Sequence, residues 1–264
     1  MIQSEKILSA VRAQSALIHN ITNYVVMNWT ANCLLAVGAS PVMAHAGEEA
    51  QAMTGLASAL AINIGTLSEP WVKSMRLSMD TAQHKKIPIV FDPVGVGATS
   101  YRTDTARQLL DDACPTVIRG NASEINALAG LESTTKGVDS VDASNLAIES
   151  ARKLANSYEC VVCVSGAIDF VVEKNKIYEI KNGHPLMARV TGMGCAATAL
   201  IGAFVATGES PFDATVAAMT VTGIAGELSA KKSSGPGTFQ VNYLDFLDQM
   251  DGNLIRTYQK AKLL

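Results

Sequence analysis

The sequence predicts an α/β protein with a mostly parallel central sheet and helices on both faces. Three features point there. Short apolar runs alternate with amphipathic stretches, the pattern of repeated βαβ units. The apolar content is aliphatic rather than aromatic, with Phe, Trp and Tyr together only 5%, as suits parallel strands buried under helices. Most of the apolar runs also end in a polar residue or a glycine, which places polar groups along one rim, outside the carboxyl ends of the strands.

The elements follow in order. Residues 16–19, 41–44, 60–65, 88–92, 116–119 and 161–165 read as strands, and 23–37, 48–59, 69–86, 100–113 and 142–159 as the amphipathic helices between them. Residues 169–180 hold two alternating runs around Lys174-Asn175-Lys176, an antiparallel hairpin expected at a sheet edge. From residue 192 onward the chain reads as nearly all helical. No repeat, low-complexity tract or long linker divides it, so residues 1–264 are expected to form one domain.

A chain of 264 residues, 48% hydrophobic with net charge −3, can bury a sizeable core. It has no Lys/Arg cluster for nucleic acid. No apolar run reaches transmembrane length and no signal-peptide pattern opens the chain, so a cytoplasmic protein without a membrane partner is expected. The five cysteines, Cys33, Cys114, Cys160, Cys163 and Cys195, have no framework spacing and fit free thiols in a reducing compartment. Cys160-Val-Val-Cys163 lies at and inside a strand, and no second Cys/His pair completes a zinc site, so both are read as buried thiols.

Residues 189–199, Arg-Val-Thr-Gly-Met-Gly-Cys-Ala-Ala-Thr-Ala, carry the sharpest chemical signal. A glycine turn feeding a helix N-terminus offers free N–H groups and the positive end of the helix dipole to an anion. Gly192, Met193, Gly194 and Cys195 form that candidate anion hole, and a thiol in the first turn is expected to be biased toward thiolate.

Other candidates share the rim. Asp92 closes a strand in Asp-Pro-Val-Gly-Val-Gly, where a carboxylate can hold Mg²⁺ or simply form a turn. Arg119 ends the next strand, placed for a phosphate. Asn121-Ala-Ser-Glu124 fits both a helix cap and a carboxylate for metal. Ser165-Gly166 adds a hydroxyl at the following strand end. Carboxylates, one Arg and a helix N-terminus, with no nucleophile–base triad and no Gly-x-Ser-x-Gly elbow, suit phosphoryl transfer better than hydrolysis.

Together Asn121-x-x-Glu124, Ser165-Gly166 and Gly192-x-Gly194 resemble the ribokinase-like superfamily of small-molecule kinases. Five collinear blocks narrow the resemblance. They are residues 20–44 (Asn-Ile-Thr-Asn through Ser-Pro-Val-Met-Ala), 91–98, 119–125, 191–195 and 235–239, and they look like the hydroxyethylthiazole kinase family. That resemblance implies a ribokinase-like fold and transfer of the ATP γ-phosphate to the primary alcohol of 4-methyl-5-(2-hydroxyethyl)thiazole in thiamine salvage. It also implies a homotrimer with active sites between subunits. Carried over residue by residue, Asn23, Met43 and Gly192 would contact the thiazole, and Arg119 and Ser165 the ATP. Asp92 and Glu124 would organise Mg²⁺, and Cys195 would face the hydroxyl as the catalytic residue. Cys195 stands where the wider superfamily carries Asp, and Ser165 where Thr is commoner.

Three alternatives remain at this level. Gly192-Met-Gly-Cys-Ala-Ala197 also fits a dinucleotide fingerprint, but the window that should hold a strand ending in an acidic residue, Glu209-Ser-Pro-Phe-Asp213, starts a helix. A ribokinase-like lyase or regulator without turnover would not need Asp92 and Glu124. A hydroxymethylpyrimidine or pyridoxal kinase differs too little at position 195 to be set aside.

Overall fold

A computed structural model describes residues 2–131 and 140–264 of the chain. The expected alternation is there. The strands are β1 (Leu17–Ile21), β2 (Ser40–Val42), β3 (Ala59–Asn63), β4 (Ile89–Asp92), β5 (Val117–Asn121), β6 (Val161–Ser165), β7 (Asp169–Glu173), β8 (Lys176–Ile180) and β9 (Ala261–Leu263). The helices are α1 (Ser4–Gln14), α2 (Met27–Val37), α3 (Ala50–Leu56), α4 (Glu69–Lys85), α5 (Ser100–Asp112), α6 (Ala122–Leu128) and α7 (Ser140–Tyr158). After a 3-10 turn at Pro185–Arg189 come α8 (Met193–Val205), α9 (Pro211–Lys232), α10 (Pro236–Gln249) and α11 (Gly252–Tyr258).

One sheet runs β2-β1-β3-β4-β5-β6-β7-β8-β9, parallel from β2 through β6 and antiparallel beyond. Its two faces bury two separate cores. Ile18, Val90, Val117, Val161 and Cys163 pack under α2, α8 and α9, while Leu60, Ile62, Phe91, Ile118 and Val162 pack under α4, α5 and α7. The period-2 alternation of a strand therefore sends Cys163 to one core and Cys160 to the other. Both thiols are free and buried, and burial pushes Cys160 up to about 12.

One expectation needs correcting. The hairpin of β7 and β8 is not at the edge, because β9 pairs antiparallel with β8 through Tyr178↔Leu263 to Ile180↔Ala261. The last seventy residues are accordingly helical except for this strand. Three residues carrying a Lys are too short a signal for a periodicity argument. Helix α1 lies in a stretch for which the sequence reading named no element. Among the described residues, no helix is long and apolar enough to cross a membrane.

The strand order reverses at β1, which has β2 on one side and β3 on the other. Open α/β sheets bind ligands in the crevice outside the strand ends at such a switch point.

Candidate active site

The segments after β1 and β3 meet at that crevice through an amide relay. Asn23 Nδ2 donates to Asn63 Oδ1 at 2.8 Å, and the Gly65 N–H donates to the same oxygen at 3.0 Å. Asn63 Nδ2 donates to Asp92 Oδ2 at 2.9 Å. Gly65 can carry no side chain here, since a Cβ would lie 2.5 Å from Asn23 Nδ2.

Asp92, ending β4, is fully buried. Its Oδ2 also accepts from Thr198 Oγ1 at 2.7 Å and lies 3.7 Å from Arg119 Nη1, while Oδ1 has no partner. Burial raises this carboxyl to about 6, and Glu124 adds to the rise; Arg119 and the bonds from Thr198 and Asn63 work against it. Burial alone would depress the Arg119 guanidinium, but Asp92 and further acidic neighbours reverse that and hold its charge firmly.

Arg119 crosses from β5 to the glycine turn. Its Nη2 bonds to Ser165 Oγ at 2.5 Å, and Ser165 in turn donates to the Gly120 carbonyl at 3.3 Å. A Cβ on Gly194 would sit 2.5 Å from Arg119 Nη1, so the guanidinium lies directly against the backbone that opens α8. Gly192 has φ +82°, and a Cβ there would come within 2.7 Å of Val26 Cγ1. This turn accepts only glycine at both places. No side chain caps α8, so its first N–H groups remain open to a ligand.

Cys195 is half-buried, with Asn23 Nδ2 3.6 Å from its sulfur. The expected acidic thiol is not what the surroundings produce. Burial pushes Cys195 up to about 11 and the Asp92 charge adds to it, outweighing hydrogen bonds from Asn63 and Asn23 and the pull of Arg119. At neutral pH the residue is a thiol.

Glu124 satisfies the helix-cap reading in full. Asn121 Oδ1 accepts from the Glu124 N–H at 2.9 Å and Glu124 Oε2 accepts from the Asn121 N–H at 2.9 Å, a reciprocal capping box. Its Oε1 accepts from the Gly95 N–H at 2.9 Å, tying this helix start to the Asp92 loop. Each carboxylate oxygen keeps a second lone pair, so capping and metal organisation are compatible. Met43 directly follows β2 on the same rim, half-buried, and its neighbour Ala44 offers its carbonyl to His19 Nε2 at 2.7 Å.

A cavity of about 610 Å³ opens beside the turn. Arg119, Ser165 and Gly194 line it, with Asp169 and the 182–188 segment; Asn23, Met43 and Gly192 do not. The residues assigned from sequence therefore divide into those that line this cavity, Arg119, Ser165, Met193 and Gly194, and those that do not. Asn63, Thr198 and Asp169 were missed. Asn63 lay inside a strand, Thr198 inside an Ala-rich helix, and Asp169 inside the hairpin. Asp169 accepts from the Gly166 N–H at 2.9 Å, and burial raises it to about 6.

The donor set suits a hard dication. Asp92 Oδ1 is buried and unpartnered beside the carboxylate of Glu124. Among the described residues no group of three His, Cys, Asp or Glu could cage a metal. Mg²⁺ needs no such cage, since it commonly takes one or two carboxylates and completes its shell with phosphates and water.

Known proteins resemble this chain over most of its length. The sequence model described as the Hydroxyethylthiazole kinase family matches residues 8–253. A protein named hydroxyethylthiazole kinase from Syntrophus aciditrophicus is 55% identical over 241 residues, covering 91% of this chain and 89% of its own. The structure of a hydroxyethylthiazole kinase protein from Pyrococcus horikoshii superposes with a TM-score of 0.93 at 42% identity, over all of both chains. The pyridoxal kinase of Staphylococcus aureus, solved with AMP-PCP and pyridoxal, has a TM-score of 0.60 at 15% identity over 80% of this chain and 88% of its own, a likeness of fold alone. The fold is thus ribokinase-like, and the chain belongs to the hydroxyethylthiazole kinase family.

Proposed function

We propose that the protein transfers the γ-phosphoryl group of Mg-ATP to the primary alcohol of 4-methyl-5-(2-hydroxyethyl)thiazole, a step of thiamine salvage in the cytoplasm. The observation that carries this is the α8 N-terminus with Arg119 laid against Gly194. Gly194 lines the cavity, and the next residue, Cys195, contacts Asn23. In this reading Arg119 and Ser165 hold the ATP phosphates, and Asn23, Met43 and Gly192 hold the thiazole. The alcohol oxygen attacks the γ-phosphorus while the bond to the β–γ bridging oxygen breaks and ADP leaves with that electron pair; the alcohol proton departs late, to a phosphoryl oxygen or water, and charge spreads over the equatorial oxygens. The N–H groups of Gly192, Met193, Gly194 and Cys195 and the guanidinium of Arg119 face that charge without having to reorganise. Asp92 and Glu124 hold Mg²⁺, which when bound neutralises the phosphate oxygens.

The assembly proposed is a homotrimer with the thiazole site between subunits. Tyr24 and Val25, next to Asn23, are each 63% exposed in the single chain, an apolar pair that a neighbouring subunit would cover. Incubation with Mg-ATP and a panel of hydroxylated vitamin precursors tests the function by mass spectrometry. The phosphorylated thiazole alcohol is the expected product, and turnover of hydroxymethylpyrimidine alone would overturn the assignment. An active monomer in light scattering would remove the trimer.

Cys195 is neutral at pH 7, so little of its contribution can come from a standing thiolate. Cys195→Ala is expected to lose about 10²-fold in kcat or less, the low end for a positioned base. Cys195→Asp should fold and turn over at least as well as the parent, because a carboxylate is already ionised at neutral pH and can accept the late-leaving proton, whereas the neutral thiol cannot. Full activity in the Ala variant with none in the Asp variant, both at saturating Mg-ATP, would exclude Cys195 from the mechanism.

A further inference from the structure

The cavity wall facing Arg119 is the segment 182–188, which pairs with no strand. Such a segment keeps its place only through what holds its backbone. Helix α9 holds it closely. A Cβ on Gly223 would fall 2.6 Å from Asn182 Cβ, and one on Gly226 would collide with the Met187 sulfur. The next residue along α9, Glu227, is buried. Its Oε1 accepts from Asn182 Nδ2 at 3.0 Å and from the Gly183 N–H at 3.2 Å. Lys260 Nζ donates to Oε1 at 3.0 Å and to Oε2 at 2.9 Å. Asn182 returns the connection, since its Nδ2 also donates to the Tyr258 carbonyl at 2.8 Å and its Oδ1 accepts from the Lys260 N–H at 2.8 Å. A buried carboxylate with one cation and two amide partners is costly to rearrange, so it fixes the wall to α9 and to the chain entering β9.

We infer that Glu227, acting through Asn182, Gly183 and Lys260, is a positioning residue that sets the nucleotide affinity of the cavity. The inference rests on the cavity being the nucleotide site. Glu227 touches neither the α8 turn nor Asp92, Glu124 or Asn23. Loosening it should widen the cavity without disturbing the reacting atoms.

The test separates KM from kcat. In Glu227→Ala, KM for Mg-ATP should rise about tenfold or more, the scale of losing charge-assisted hydrogen bonds. Both kcat and KM for the alcohol should stay within about twofold. Glu227→Gln should recover most of the loss, because its amide oxygen still accepts from Asn182 and Gly183. Titration with AMP-PCP should show the same order of affinities. If Glu227→Ala does not fold, Glu227→Leu combined with Lys260→Met, which keeps the volume while removing both charges and the acceptor for Asn182 and Gly183, is read in the same way. A lowered Tm with unchanged KM for Mg-ATP would make Glu227 merely structural and overturn the inference. Ala188→Trp, at the exposed lining of the cavity, checks the underlying reading. If it leaves KM for Mg-ATP unchanged, the nucleotide lies elsewhere and both fail. If it raises KM while the Glu227 variants do not, only the positioning role fails.

Discussion

Asp92→Asn is expected to lower turnover by at least about 10²-fold, the scale of losing one preorganised electrostatic group. The side chain keeps its shape, and its oxygen can still accept from Thr198 or Asn63. What disappears is the negative charge 3.7 Å from Arg119 and the unpartnered Oδ1 that faces the proposed metal. A buried guanidinium deprived of its partner is destabilising by roughly 3 kcal/mol, so Tm should fall as well. Activity measured well below the melting temperature separates the two losses. The parent enzyme should show the same dependence through pH. Because burial raises the Asp92 carboxyl to about 6, the neutral acid prevails below that pH and the anionic ligand is lost. kcat/KM should therefore fall as pH drops through about 6, and Asp169→Asn should retain this limb even though Asp169 has a similar value. A flat profile between pH 7 and 5 would contradict the assignment of Asp92.

Gly194→Ala should be nearly as damaging by a different route. The added methyl would lie 2.5 Å from Arg119 Nη1 and 3.0 Å from its Cζ. The guanidinium has little freedom to yield, being held by Ser165 on one side and Asp92 on the other. Arg119 must leave the turn, and turnover should drop about 10²–10³-fold with a raised KM for Mg-ATP. Stability should change far less, because alanine gains about 0.5–1 kcal/mol over glycine within a helix and offsets part of the strain. An active variant with an unchanged KM would mean that Arg119 does not touch the nucleotide.

The parallel sheet, its order of elements and the rim were legible because apolar runs of strand length ended in polar residues. The turn at 192–195 was legible because two glycines precede an Ala-rich helix. Asn63 and Thr198 were not, since an Asn inside a strand-length run and a Thr in an apolar helix read as ordinary until Asp92 is seen bonded to both. The acidity of Cys195 was misjudged for a related reason. A helix N-terminus is visible in sequence, whereas the burial that overrides it depends on segments far apart in the chain. β9 was hidden by its length and its lysine.

Helix α9 is the element on which much of the fold is packed. Its residues are buried almost without a break from Phe212 to Ser229, and the hydroxyls of Thr215, Thr222 and Ser229 turn back onto carbonyls four residues earlier. It contacts α1, α8, α10, α11, β6, β7 and β8 at once. A helix with no solvent face cannot fray from one side. Releasing it would expose apolar surface on each of these neighbours together, so hydrogen exchange of α1, α11 and the antiparallel strands is expected to follow that of α9.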